Sequence, residues 1–416
     1  MTSEHQVSTR PAIHWLSVGQ FSLSLLAAVI LWSMAGSAAL AGLVALFDPY
    51  LLASDSTSLF LLAASLAFIG LLLIPSAVFS FLRLNGHQRK LDRIRISRLL
   101  RPSILILLFP LVLLAGYWVT QNANLVWLLL PPLHILAVLL PIWWLVYLGI
   151  RGLPTGSPQR AWGVLGSGLV LGPILILMFE LMVFVFFVVA AAFYLSTRPD
   201  LSEELFNLLQ RLTGATPTPD LMTEMVQPYL LKPAVVVSVL IFGAVLVPMI
   251  EELIKPVGVW LLAGAALTPA GGFAAGLLSG AGFALFESLT YTSNAEDWAF
   301  AVVVRIGTAV MHIMTAGIMG WALAVAWRQG SYLRLGLAYL AAVLLHSLWN
   351  GITLISVGYS LIPDAPETPS FFYNLAGIVP LALSFMTLAM FIFLLWTNYQ
   401  FRNVGTMVQQ EPKSVL

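Results

Sequence analysis

The chain reads as a series of long apolar runs separated by short polar stretches. The runs are continuous rather than alternating. Each is near or above the roughly 20 residues that an α-helix needs to cross a bilayer. Ten spans are predicted, over 18–47, 58–84, 103–120, 124–150, 161–196, 233–264, 271–292, 299–327, 333–360 and 372–398. A membrane β-barrel would instead show alternating segments of about ten residues. The expected fold is therefore all-α, a polytopic transmembrane helical bundle. The first run is too long for the apolar part of a cleavable leader and is expected to span. The 233–264 run contains Pro248 and Pro256, which predict a kinked or broken helix. Between the fifth and sixth runs, 202–212 has the pattern of a short amphipathic helix, with Ser202 as its cap and Glu203 and Glu204 in its first turn.

The polar stretches orient the bundle. With a cytoplasmic N-terminus, 14 basic residues fall on the inside, against three (Arg198, Arg211 and Lys232) in outside loops. Basic residues concentrate on the cytoplasmic side, so both termini are expected there, in a multi-pass protein of the cell membrane. The basic 83–101 loop is expected to rest on anionic lipid.

Composition removes whole classes of function. Of 416 residues, 60% are hydrophobic and 9% charged. Soluble domains have about 45–50% and 25%. The formal net charge of +1 leaves no basic footprint for a phosphate backbone, so no nucleic-acid partner is expected and the lipid bilayer is the surrounding medium. The absence of cysteine excludes disulfides, thiol nucleophiles and Cys-ligated zinc. No phosphate-binding loop, nucleophile elbow or HExxH occurs. No internal repeat of the kind found in many transporters is visible.

Few ionisable residues remain inside the runs: His134, Glu180, Glu251, Glu252, Lys255, Glu287, Arg305, His312 and His346. Such groups face the protein interior and mark function. Six of the nine lie between 251 and 312. Counted from the cytoplasmic end of each helix, Glu251, Glu287, His312 and His346 all lie roughly 20–24 Å up. Glu251 and Lys255 share a face at i,i+4, as do His346 and Asn350; Arg305 and His312 share one at i,i+7. Gly272, Gly276, Gly280 and Ala284 form a small-residue stripe that would let another helix come close and carry Glu287 inward. His134, after Pro131 and Pro132, is read as a structural residue with Glu180 as its partner, and Glu180 likewise as structural rather than catalytic.

Four motifs in order resemble those of the PrsW family of intramembrane proteases, which is distantly similar to the CAAX prenyl protease group. They are Glu251-Glu252-x-x-Lys255, Phe283-x-x-x-Glu287, Arg305 followed by His312, and His346-x-x-x-Asn350. Each lies on its own predicted span. The resemblance covers about 233–360. It divides the chain into N-terminal transmembrane helices with an extracytoplasmic loop (1–232, loop 197–232), a catalytic helical core (233–360), and a last span with a cytoplasmic tail (361–416). It implies an intramembrane endopeptidase acting on a membrane-anchored protein near the outer face, with signalling regulators as the substrate class.

Hydrolysis needs an activated water, a polarised carbonyl and a proton for the leaving amine. Glu251 is the candidate base, with Glu252 beside it. Asn350 is the candidate donor to the oxyanion, and Lys255 and Arg305 are counter-ions, Arg305 to Glu287 or Glu252. Two mechanisms fit. His312, His346 and Glu287 can hold a metal, with zinc the natural candidate. Alternatively the glutamates activate water directly and the histidines assist. Two other classes use the same residues: an ion- or proton-coupled transporter, and a non-catalytic membrane scaffold.

Overall fold

The computed structural model describes residues 14–47, 55–86, 102–214, 225, 226, 228, 229, 232–291, 295–360 and 370–410. Most of the basic 83–101 loop, with its expected lipid anchorage, lies outside them. The described residues contain helices and no strands. Among the described residues, ten helical segments are long and apolar enough to cross a membrane: α1 (Trp15–Phe47), α2 (Ser56–Leu84), α3 (Pro102–Thr120), α4 (Val126–Ile150), α5 (Pro158–Ser196), α6 (Pro233–Trp260), α7 (Pro269–Thr290), α8 (Trp298–Gln329), α9 (Tyr332–Val357) and α10 (Gly377–Asn403). Each coincides with a predicted run to within a few residues.

The chain forms two compact units, each discontinuous in sequence. The first comprises Met1–Pro141, Thr155–Gly166 and Ser288–Val302. Its core is Leu61, Val119, Val126, Leu130, Ala137, Trp298 and Val302. Polar pins supplement this packing. Gln20 donates to Ser76 Oγ at 3.0 Å and accepts from Gln159 Nε2 at 3.0 Å. His134 is a second pin. Trp298 Nε1 donates to its Nδ1 at 3.2 Å, so the ring proton sits on Nε2, 3.2 Å from the Leu289 carbonyl. Both nitrogens are thus taken within the unit, and the expected partnership with Glu180 does not form.

The second unit comprises Ile142–Pro154, Ser167–Glu287 and Val303–Leu416. Glycines let α7 and α8 nearly touch. A Cβ on Gly276 would overlap the Ala316 backbone, and one on Gly280 would lie 2.6 Å from both the His312 carbonyl oxygen and the Ala316 Cβ. The expected stripe therefore packs against the His312 turn itself. Gly168, in a π-helical turn at Ser167–Leu171, approaches the backbone of Ser279 in the same way.

The α6 run is broken rather than smoothly kinked. A helix over Pro233–Ile241 passes into a π turn at Phe242–Leu246, then a helix over Val247–Ile254, then a single turn at Val257–Trp260. Pro256 cannot donate an N–H and ends the third piece. The surface helix runs over Pro199–Gly214, starting earlier than expected. Proline is favoured in the first turn, where its missing N–H costs nothing. Ser202 is therefore not the cap; its hydroxyl donates back to the Pro199 carbonyl at 2.9 Å.

Candidate active site

The second unit gathers the motif residues of α6, α7, α8 and α9 into one cluster, and Lys255 is its hub. Its side chain is wholly buried. Its Nζ lies 2.7 Å from Glu252 Oε1, 2.6 Å from His312 Nδ1 and 3.0 Å from Glu251 Oε2. These three partners match the three N–H bonds of an ammonium. His346 Nδ1 is further away, at 3.2 Å, and lies 2.8 Å from Glu252 Oε1.

The hydrogen-bond inventory then assigns both rings. A carboxylate only accepts, so His346 carries its proton on Nδ1 and directs it at Glu252. This leaves His346 Nε2 as an acceptor, 3.9 Å from Glu251 Oε2. His312 Nδ1 accepts from Lys255, so its proton sits on Nε2, 2.6 Å from Glu287 Oε2. Arg305 pairs with the same oxygen at 2.7 Å. Of its two expected partners, Arg305 thus has Glu287. The His312 ring stands edge-on to Phe283, centroids 5.0 Å apart, and edge-on to His346 at 5.3 Å.

Local structure explains the placement. Glu251 and Glu252 occupy the last turn of the Val247–Ile254 helix and Lys255 caps it, where the break at Pro256 turns the chain. The break frees the Lys255 carbonyl, which accepts from the Ser279 hydroxyl at 2.6 Å. The Gly258 N–H donates to the same hydroxyl at 3.2 Å. Ser279 therefore closes the break from α7. It belongs to no motif, and a serine one residue before a stripe glycine carried no signal of this duty. Tyr339 was missed for the same reason; its hydroxyl donates to the Met249 carbonyl at 2.8 Å. Asn350, expected as an oxyanion donor, commits one amide N–H to the Gly243 carbonyl at 3.0 Å, inside the π turn. π-Helical turns leave carbonyls out of register, and this side chain satisfies one.

The donor chemistry fits a metal ion. One ligand atom each from Glu251, His312 and His346 can be chosen so that all lie within 4.8 Å of one another, and all three residues are buried. Two bonds of about 2.0–2.2 Å keep donors on one ion within about 4.4 Å of each other, so these side chains would close in slightly around it. Glu252 Oε2 is buried without a hydrogen bond. Three carboxylates also outnumber the two cations, Lys255 and Arg305. The carboxylate in this trio is Glu251, whereas Glu287 sits one layer behind, against Arg305 and His312.

Residues 206–396 match the family model described as PrsW family intramembrane metalloprotease. The matched stretch contains the whole cluster. Comparison with curated proteins gives no match, and neither does comparison with solved structures.

Proposed function

From the premise of an intramembrane protease domain of the PrsW family over residues 206–396, in a multi-pass membrane protein, we propose that the chain hydrolyses a peptide bond of a membrane-anchored protein near the outer face of the cell membrane. Both termini then lie in the cytoplasm. The observation that carries this reading is the facing pair of Glu251 Oε2 and His346 Nε2, two acceptors 3.9 Å apart inside a buried charged cluster. Lys255 supplies positive charge to Glu251 Oε2 from 3.0 Å, and a water between the two acceptors would donate to both and await deprotonation there.

Glu251 accepts the proton of that water and later returns it to the leaving amine. Glu252 acts from behind His346. By accepting from Nδ1 it fixes the ring and its tautomer, so that Nε2 always faces the water. Lys255 offsets the repulsion between two adjacent carboxylates and holds them in register. Glu287, paired with Arg305, does for His312 what Glu252 does for His346. Glu251, His312 and His346 would hold a metal, zinc being the candidate, with His312 Nδ1 released from Lys255, and the metal would supply Lewis-acid polarisation of the scissile carbonyl and a more acidic water. With Glu251 so engaged, Glu252 Oε2, buried without a hydrogen bond beside it, would take the proton of the water. The residues 233–360 form the catalytic core within the wider matched stretch.

The test works without an identified substrate. Membranes from cells expressing the wild type or Glu251→Gln are compared by N-terminal proteomics. New N-termini close to the outer ends of transmembrane segments are expected with the wild type alone. Identical sets of termini would sink the reading. Elemental mass spectrometry of the purified chain is expected to find close to one metal ion per chain, lost in a folded His312→Ala variant. No metal in either would leave direct activation by the glutamates as the mechanism.

A further inference from the structure

One charged residue at membrane depth takes no part in the cluster. Glu180, on α5, makes no hydrogen bond or ion pair with any described residue, and it is half-buried. It also lies outside the family match. A lone carboxyl within an apolar span is costly and faces the protein rather than lipid. The structural partner expected for it is absent, since His134 is satisfied elsewhere.

Its position follows from the packing beneath it. Ile176 of α5, Ile254 of α6 and Phe283 of α7 form one buried apolar cluster, with Ile250 packed against it. Glu180 follows Ile176 by four residues and shares its face. Glu287 follows Phe283 by four, on a span that crosses in the same direction as α5. Glu251 precedes Ile254 by three, on a span that crosses the opposite way. One turn beyond the apolar cluster, about 5.4 Å along the axes, all three carboxyls therefore reach one level. Glu180 lies within electrostatic reach of Glu251, Glu287 and Lys255. Its neighbours on α5, including Phe179 and Leu181, are exposed. Glu180 thus stands at the rim, between the enclosed charged cluster and an open apolar flank.

A substrate entering from that flank brings a specific need. A membrane-spanning segment is helical because lipid offers its backbone no partners. Cutting one of its peptide bonds requires opening the helix locally, which strands backbone N–H groups in an apolar setting. The enzyme must supply acceptors there, and the other carboxylates at this level are held by Lys255, Arg305 and the histidines. Resting on the protease reading above, we propose that Glu180 is a substrate-binding residue, whose carboxyl accepts a hydrogen bond from the opened backbone beside the scissile bond.

The test uses full-length protein in membranes and a single-span protein whose new N-terminus depends on Glu251. Glu180→Gln keeps an acceptor oxygen and is expected to stay within about threefold of the wild type. Glu180→Leu removes it and is expected to lose about tenfold or more, chiefly as a raised KM. Equal losses in both variants would assign a proton-transfer role and overturn the proposal, as would no loss in either. A second measurement does not depend on the leucine variant folding. The chain has no cysteine, so Glu180→Cys in an inactive Glu251→Gln background is a unique thiol. A single cysteine walked through the substrate should form a disulfide with it only within a few residues of the cleavage point. Crosslinks elsewhere, or none, would overturn the proposal. Absence of wild-type cleavage would remove the protease reading itself, whereas cleavage that Glu180→Leu leaves unchanged removes this inference alone.

Discussion

Two pairs of helices that serve one site live in opposite surroundings. The most apolar windows of α7 and α8 are 83% and 89% buried, while those of α5 and α6 are 6% and 11% buried. The enclosed pair is the less apolar of the two. In water, burial and hydrophobicity rise together, because burial removes apolar surface from solvent. In a bilayer the tails are as apolar as leucine, so the most apolar helices are the ones left facing lipid. Enclosed helices instead carry small residues that allow close approach and polar residues that bond across it. The glycines of α7 and the His312 turn of α8 are the first kind of contact, and the Ser279 hydroxyl bridging to α6 is the second. On α6 the bare part is the apolar stretch before the site, whereas Glu251, Glu252 and Lys255, with Ile254, Val257 and Val259 around and after them, are buried.

This contrast can be broken at three points. The largest effect is expected from Lys255→Met, which leaves Glu251 and Glu252 buried side by side without their common cation. Breaking a buried ionic cluster in this way costs about 3–5 kcal/mol. Thermal unfolding in detergent should show the loss, together with complete loss of cleavage, even though the apolar stretch that precedes Lys255 on the same helix is largely bare. A melting profile equal to the wild type would mean that the cluster has another cation. Gly280→Leu is expected to cost about 1–3 kcal/mol by overpacking. Cleavage should fall further than stability, because the new side chain pushes directly on the turn that carries His312. If stability and cleavage fall in proportion, the glycine stripe serves packing alone. Leu181→Ala, on the exposed flank of α5, is expected to change stability by no more than about 0.5 kcal/mol. A large loss there would mean that the α5 flank is covered in the membrane by a partner.

The sequence made the spans legible because lipid imposes a minimum length of apolar residues on each. It made the members of the ionisable cluster legible as well. Ionisable residues are so rare inside the runs that subtraction isolates them, and the four motifs then order them. The connections among them were not legible. Lys255 reads as one counter-ion among several, yet it is bonded to two carboxylates and an imidazole from two helices. Glu251 and Glu287 are both glutamates at one depth, and helical spacing does not say which of them meets both histidines. Asn350 shares a face with His346, and nothing in that spacing points to the Gly243 carbonyl.

What the sequence determined by itself is the chemistry available and its position along each helix, because both follow from residue type and the 1.5 Å rise of a helix. What only the tertiary structure decided is the partner of each group. Partnership depends on the rotation of each helix about its axis and on how closely two backbones approach. Those are set by contacts between residues far apart in the chain: the glycines of α7 against α8, the Ser279 hydroxyl at the break in α6, and the apolar cluster of Ile176, Ile254 and Phe283.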